Sequence, residues 1–493
     1  MGCSTAICRL VGEKSNFRYS YWYRLRHRHA RRFPSFSPAI SSSEYCKLRV
    51  SGEIWENMQR IIFAVAICVL LCVPVCRASD NGPQSGKADG AAEAIAPGTV
   101  ITTANWRQYQ SFMPEGMAAL FEGKYFWKMP PDVRIEVGPT IIHPLPKNYM
   151  AATEQYAQQV RLVELPNGGL SLANYHGGIP FPSPAEPHKG WKTLANVWYR
   201  YIPHLTVDTY GSGCAIDSSG NYNCQAYLAV KRQLSYNTDS NAPVEPPGPS
   251  ARYFTEWFMT LEPEQDRYTT FLTVNYADPE RPEDEFVFLP SLRRYQTIST
   301  SARCSQTGGM DATFEDFHNG FDSNITELNV DYIGHRKMLA LVDVQPPTAP
   351  FPAEVDMPLG WPTPKWGTWQ VRDVDVLGIT KIPSKRASYC YGKRVMYADS
   401  HFAYPLWEEM EDTKNQPWKI LGIFPLKIDV PGVGIIDTAA LDVEVFWDLQ
   451  HKHASFASEP ANGRAYYVNE QAPKEYNDDR RYTTPAGLNL IMR

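Results

Sequence analysis

The sequence predicts an α+β fold built on a large curved antiparallel sheet, and three observations carry that reading. Residues 253–261 (YFTEWFMTL), 268–276 (YTTFLTVNY) and 285–289 are dense in aromatic and β-branched side chains, which suit a pleated, half-buried surface. Residues 440–447 alternate, with Leu441, Val443 and Val445 on one side and Asp442 and Glu444 on the other. Helical periodicity is confined to short stretches, most clearly Trp191, Leu194, Ala195 and Trp198 at i, i+3, i+4 and i+7. Many strands with few amphipathic helices imply a sheet carrying the helices on one face.

Other elements follow the same logic. Strands are expected at 369–376, 389–398, 403–410 and 418–424. Trp106, Tyr109 and Phe112 have helical spacing, as do Phe314, Phe317 and Phe321, and Thr153 is placed to cap a helix carrying Tyr156 and Val160. Pro-rich stretches at 129–146, 242–249 and 345–364 lie beside tryptophans and read as ordered loops within one domain.

The front of the chain reads differently. From Met58, the segment MQRIIFAVAICVLLCVPVCRASD has a basic residue, an apolar run over 61–75 and a small residue at Ala78, the three parts of a secretory signal. The run is shorter than the ~20 residues a spanning helix needs, which argues against an uncleaved anchor. A lipoprotein site at Cys76 is disfavoured by the branched Val75 before it. The organisation expected is a discarded basic leader at 1–57, a signal peptide at 58–78, a flexible N-terminus at 79–100 and a single domain at 101–493. Residues 1–78 carry 12 Lys/Arg and 4 Asp/Glu, so their removal takes the formal charge from −5 to −13. A chain of that sign does not suit phosphate backbones, and nucleic acid is excluded as a partner.

Six of the ten cysteines leave with residues 1–78, and Cys214, Cys224, Cys304 and Cys390 remain. Cys214 and Cys224 flank the turn-rich AIDSSGNYN, where a hairpin brings them together with little loop entropy. Cys304–Cys390 is then the second disulfide, as export favours. A four-cysteine zinc site is the rival, and no CxxC spacing supports it.

Five segments, in order, are similar to one family. They are GGIPFP at 177–182 with the helix and Tyr199-Arg200-Tyr201 after it, FVFLPSLRRYQTI at 286–298, MDATFEDFHNGF at 310–321, KRVMYADSHFAYPLWEEMED at 393–412 and NQPWKI at 415–420. They resemble a family of exported Gram-negative proteins, domain of unknown function 1329, often labelled outer-membrane lipoprotein-sorting-like. Cys214 and Cys224 are not a feature of that pattern. The resemblance implies a LolA/LolB-like open half-barrel whose concave face, lidded by helices, holds acyl chains. It also implies a periplasmic location, associated with the outer membrane, and an inner-membrane export pump or outer-membrane protein as partner.

The function expected is therefore a carrier or chaperone for a hydrophobic small molecule or lipid. Aromatic residues make up 13% of the chain. Trp198, Trp257, Phe271, Phe288, Tyr397 and Trp407 are the candidates to line a cavity, set against the ordinary fate of such residues as core. Arg394, Tyr397 and Asp399 match the family pattern. Arg394 and Asp399 are candidates for a polar anchor at a cavity mouth, and a strand-to-turn hydrogen bond is the competing reading for Asp399. The alternative function is a structural accessory subunit of an envelope transport complex.

No catalytic constellation, cofactor or metal site is expected. Gly169–Ala173 with Ser171 approximates a nucleophile elbow, but its HGG (176–178) follows the serine instead of preceding it. His451 and His453, with Asp448, would share one strand face, a pattern that a solvated strand end explains better than a metal. Asp217–Asn223 lacks the distal glutamate of a calcium loop. The acidic run Glu408, Glu409, Glu411 and Asp412 reads as a solvated strand end.

Overall fold

The computed structural model describes residues 94–299, 303–437 and 441–492. The leader, the signal at 58–78 and residues 79–93 lie outside the described residues. Fourteen strands form one sheet: β1 (Leu205–Ile216), β2 (Tyr222–Gln233), β3 (Arg252–Glu262), β4 (Thr270–Tyr276), β5 (Asp284–Leu289), β6 (Arg294–Thr297) and β7 (Leu328–Val342). The remainder are β8 (Thr368–Lys381), β9 (Lys393–Asp399), β10 (Pro405–Glu411), β11 (Pro417–Pro425), β12 (Asp442–Asp448), β13 (Ala454–Ser458) and β14 (Tyr466–Val468). Their order is β6-β5-β4-β3-β2-β1-β13-β12-β11-β10-β9-β8-β7, and β14 also pairs with β1. The sheet is antiparallel and unclosed, with β6 and β7 at its edges. The α+β reading holds.

The sheet curls on itself. Helix α3 (Lys189–Trp198) buries Trp191, Leu194, Ala195 and Trp198, the face its spacing predicts. Trp198 packs 5.7 Å from Phe254 of β3, while the same cluster takes in Leu377 and Ile379 of β8. β3 and β8 stand eight places apart in the strand order, so only a curved sheet brings them to one helix.

Both faces are covered. Val443, Val445 and Trp447 of β12 join a core in which Trp447 packs 5.9 Å from Trp361 and 5.6 Å from Trp407. On the other face, Asp442 and Glu444 look toward an inner segment, residues 303–322, that runs across the sheet. Cys304–Cys390 ties the start of that segment to the approach to β9. Cys214 and Cys224 face each other across β1 and β2 and are joined. The turn between them is held by Asp217, whose Oδ1 accepts from the N–H groups of Ser219 and Asn221.

Several local expectations are corrected. Phe314, Phe317 and Phe321 do not share a helix: one 3₁₀ turn (Phe314–Asp316), with a Thr313–Asp316 capping box, is followed by positive φ at His318, Asn319 and Gly320. Three left-handed residues in a row end any right-handed helix. Thr153 does not cap; it sits in the last turn of α2 (Lys147–Tyr156), bonded to the Tyr149 carbonyl, and Val160 lies beyond the helix. Trp106–Phe112 is 3₁₀ in form. The acidic run is not a solvated end, because Glu408 is fully buried. Strand β7 escaped the sequence reading, since Asn329, Asp331, His335 and Lys337 alternate along its first half as a charged edge.

Helix α1 (Glu115–Glu122) docks on β10 through a carboxylate. Gly116 N donates to Glu409 Oε1 at 2.6 Å, and Trp407 Nε1 donates to the same oxygen at 3.1 Å. A Cβ on Gly116 would lie 2.9 Å from Ile420 Cδ1, so glycine lets the helix approach without moving that side chain. Burial pushes the Glu409 carboxyl up to about 7, against the pull of those hydrogen bonds. The folded chain therefore keeps a proton that the unfolded chain releases from about pH 4.5 upward, and stability falls as pH rises through that window. We expect Glu409→Gln to match the parent at pH 4.5 and to be more stable by about 1–2 kcal/mol at pH 8. Urea unfolding at the two pH values measures it; a pH-independent difference would contradict the assignment.

Candidate functional site

A cavity of about 340 Å³ lies between the inner segment and strands β2, β3, β4, β12 and β13. Its size is at the lower end of small-molecule sites. One side is apolar: Tyr227, Phe258, Phe271, Met310, Phe317 and Phe446. Phe258 is the hub, 5.8 Å from Tyr227 and 5.9 Å from Phe317. The other side is polar: Lys231, Asp316, His318, Asp442, Glu444 and Glu459. Strand alternation explains the mixture. Asp442, Glu444 and Phe446 are every second residue of β12, as Ser455 and Ala457 are on β13.

Acids outnumber bases on the polar side. Lys231 Nζ meets Glu459 Oε2 at 2.6 Å. Burial alone would lower the ammonium, but Glu459, Glu256 and Asp442 hold it above its ordinary value. Burial, with the Asp442 and Glu459 carboxylates beside it, pushes the Glu444 carboxyl well above the usual range. Burial also raises Asp442, whose Oδ2 accepts from Tyr404 at 2.6 Å and Asn319 at 3.0 Å.

His318 is the neutral member. Burial brings it down to about 4, so it is an uncharged imidazole at neutral pH. Its Nδ1 lies 3.0 Å from Glu256 Oε1. Burial works against that carboxylate, yet the His318 bond, Lys231 and Arg200 keep Glu256 below the ordinary range. An ionised acceptor assigns the proton to Nδ1 and leaves Nε2 as a lone pair. Nε2 is buried without a hydrogen-bond partner.

Behind the cavity, Arg394 fixes the inner segment. The guanidinium is fully buried, donates to Asp316 Oδ1 at 2.6 Å and to Glu408, and reaches the Gly320 carbonyl at 2.7 Å. Burial would raise Asp316, but Arg394 and Lys419 hold it below the ordinary carboxylate range. Arg303 makes a second anchor with Glu283, Glu285 and Glu315.

The sequence candidates are placed as follows. Phe271 lines the cavity. Trp198 packs with α3 and Phe254. Trp257 and Phe288 occupy a separate core with Tyr482 and Leu488, on the reverse side of β3 and β5. Tyr397 and Trp407 belong to the large core with Trp447. Arg394 has no solvent exposure and so is not at a mouth. Asp399 binds Arg372 Nε at 2.8 Å and accepts from the backbone N–H groups of His401 and Phe402, a strand-to-turn arrangement. The residues the reading missed (Tyr227, Lys231, Phe258 and His318) lie on strands or turns whose inward parity has no signature in the sequence. Asp442 and Glu444 are legible there only as the polar side of an alternation.

Ser171 is buried on a short strand (Leu170–Ala173), and no histidine bonds to it among the described residues. Gly178 packs against Thr153, where a Cβ would lie 2.4 Å from the backbone nitrogen, so this glycine serves contact between segments. His451 Nδ1 bonds Asp448 Oδ2 at 2.9 Å in the β12–β13 turn.

An open antiparallel half-barrel around an internal cavity is the class that this geometry defines. By sequence the chain belongs to the family described as "Protein of unknown function (DUF1329)", matched over residues 100–489. No curated protein matches it significantly. Among solved structures it is similar to a putative outer membrane lipoprotein-sorting protein domain from Vibrio parahaemolyticus, at 13% identity and TM-score 0.41, covering 62% of this chain and 99% of that one. It is also similar to a DUF1329 family protein from Desulfovibrio piger, at 12% identity and TM-score 0.41, covering 60% and 98%. A third is the LolA superfamily protein NE2245 from Nitrosomonas europaea, at 11% identity and TM-score 0.35, covering 58% and 96%.

Removing one partner of a buried ion network leaves the others uncompensated. We expect Arg394→Met to lose about 3–5 kcal/mol of stability. The triple variant Arg394→Met, Asp316→Asn, Glu408→Gln should regain at least half of that, as read by urea denaturation. Equal losses in both would mean that Arg394 acts through packing alone.

Proposed function

We propose that this protein is a periplasmic carrier or chaperone for a hydrophobic or lipid-like ligand, working with a membrane transporter or an outer-membrane partner. The observation that supports it is the inner-face cavity, apolar on one side and carboxyl-rich on the other. A ligand that fills it is an amphiphile with a short apolar part and a polar end. Asp442, Glu444, Glu459 and the His318 lone pair favour hydroxyl, amide or ammonium groups there. An anionic headgroup would bring a further negative charge into a poorly solvated cluster of carboxyl groups. Export suits the two disulfides, and the mature charge of about −13 suits a soluble shuttle.

Native mass spectrometry of the purified protein tests the reading. We expect a co-purifying or exchangeable amphiphile at one per chain, with amine- or hydroxyl-headed probes binding at least tenfold more tightly than a fatty acid of equal length. Ala457→Trp places an indole in the cavity and should abolish binding while shifting stability by less than about 1.5 kcal/mol. An empty cavity that takes no amphiphile under any condition would instead leave an accessory subunit that binds protein.

A further inference from the structure

A second polar cluster lies outside the cavity, where the strap at residues 138–146 crosses the end of β7. His143 from the strap, Asp343 just after β7 and Asp437 just after the short strand Gly434–Ile436 converge there. His143 Nε2 lies 2.9 Å from Asp343 Oδ1 and 3.3 Å from Asp437 Oδ1, and one donor atom from each residue falls within 4.8 Å of the others. Asp343 holds a left-handed backbone, φ +54, which is unusual for a residue other than glycine.

The polar surroundings do not satisfy this cluster. Asp437 is 2% exposed, and among the described residues neither of its carboxylate oxygens receives a hydrogen bond from an N–H or hydroxyl donor, while the Asp343 carboxyl stands against it. The nearby cations are engaged elsewhere or stand off. Arg372 donates to Asp399 and to the Ile141 carbonyl, and lies 3.6 Å from Asp437 Oδ2. Lys427 is 3.9 Å from Asp343 Oδ1 and substantially exposed. Meanwhile the outer groups are ordered as supports. Gln370 Nε2 donates to Asp343 Oδ2 at 2.8 Å while its Oε1 accepts from Ile141 N, and His401 Nε2 reaches the His143 carbonyl at 3.2 Å.

We propose that His143, Asp343 and Asp437 form a binding site for a first-row divalent cation such as Zn²⁺. One imidazole and two carboxylates are a donor set such ions take, and donor atoms 2.9–3.3 Å apart suit an ion about 2.0–2.2 Å from each. The imidazole argues against Ca²⁺ and Mg²⁺, which prefer all-oxygen shells. His143 is partly exposed, which leaves a coordination position for water. The three donors come from parts of the chain 200 and 94 residues apart, so the ion would staple the strap ahead of α2 to the rim of the sheet.

Calorimetry and metal analysis with Zn²⁺ on chelator-treated full-length protein test this. We expect one Zn²⁺ per chain, a melting temperature raised by several degrees on loading, and binding at least tenfold weaker in Asp437→Asn. The metal-free melting curve of Asp437→Asn shows that the variant folds; it should equal or exceed the parent, because one buried carboxylate is gone. A double variant, His451→Ala with His453→Ala, removes the exposed histidine pair near Asp448 and should bind as the parent does. No stoichiometric Zn²⁺, equal binding by Asp437→Asn, or loss of binding in the His451/His453 variant overturns the proposal.

Discussion

The rest of the structure depends on the buried fork made by Arg394 with Asp316 and Glu408. Glu408 and Arg394 belong to adjacent strands, β10 and β9, whereas Asp316 belongs to the inner segment. One guanidinium therefore joins the sheet to the chain that crosses it. Moving three charges out of water is unfavourable unless every one is paired, so the arrangement tolerates only one register of segment against sheet. Hydrophobic packing alone would not be so selective, because aromatic residues on 303–322 can slide over an aliphatic surface at little penalty. Arg303, Glu285 and Glu315 repeat the device at the other end.

That register creates the cavity. The inner segment touches the sheet through hydrogen-bonded polar groups: Asn319 on Asp442, Asp311 on Ser455, His318 on Glu256. Between those points Phe258 and Phe271 meet Phe317 and Phe314 at 5.9 and 6.2 Å, and the small Ala457 leaves the gap beside them unfilled. A void at this place is not a packing defect. Its polar wall consists of bonded groups that cannot relax inward without breaking hydrogen bonds and the Lys231–Glu459 pair, unlike the aliphatic walls of an engineered cavity.

Most of the sheet is legible from composition, because aromatic and β-branched runs mark strands whichever way the sheet curves, whereas the charged edge strand β7 is not. Which face of a strand looks inward is not legible either. Trp257 and Phe271 stand on neighbouring strands, both aromatic and both plausible as lining, yet one packs against Tyr482 and the other opens on the cavity. A sheet covered on both faces buries aromatic residues on each, so hydrophobicity loses its usual power to tell inside from outside. The polar side of β12 was visible as Asp442 and Glu444, and in a one-sided sheet that pattern means solvent. Here it means the interior, since the inner segment supplies partners that lie over a hundred residues away in the chain. The His143 cluster was invisible for the same reason: its members share no local spacing.

Charge buried at this density also bears on what the cavity can hold. Lys231, Arg394, Arg303 and Lys419 are each surrounded by more than one carboxyl group, so the inner face has an acidic surplus even after pairing. Burial raises Glu444, Asp442 and Glu459 above their ordinary values, a sign that solvent does not compensate that surplus. Any group that brings donors or a positive charge relieves it, whereas a phosphate or carboxylate aggravates it. A purely hydrocarbon guest would do neither, leaving the His318 lone pair and the Glu444 carboxyl desolvated against it. The face opposite Phe258 thus selects for polarity as firmly as Phe258 selects against it, and the two requirements are met together only by an amphiphile.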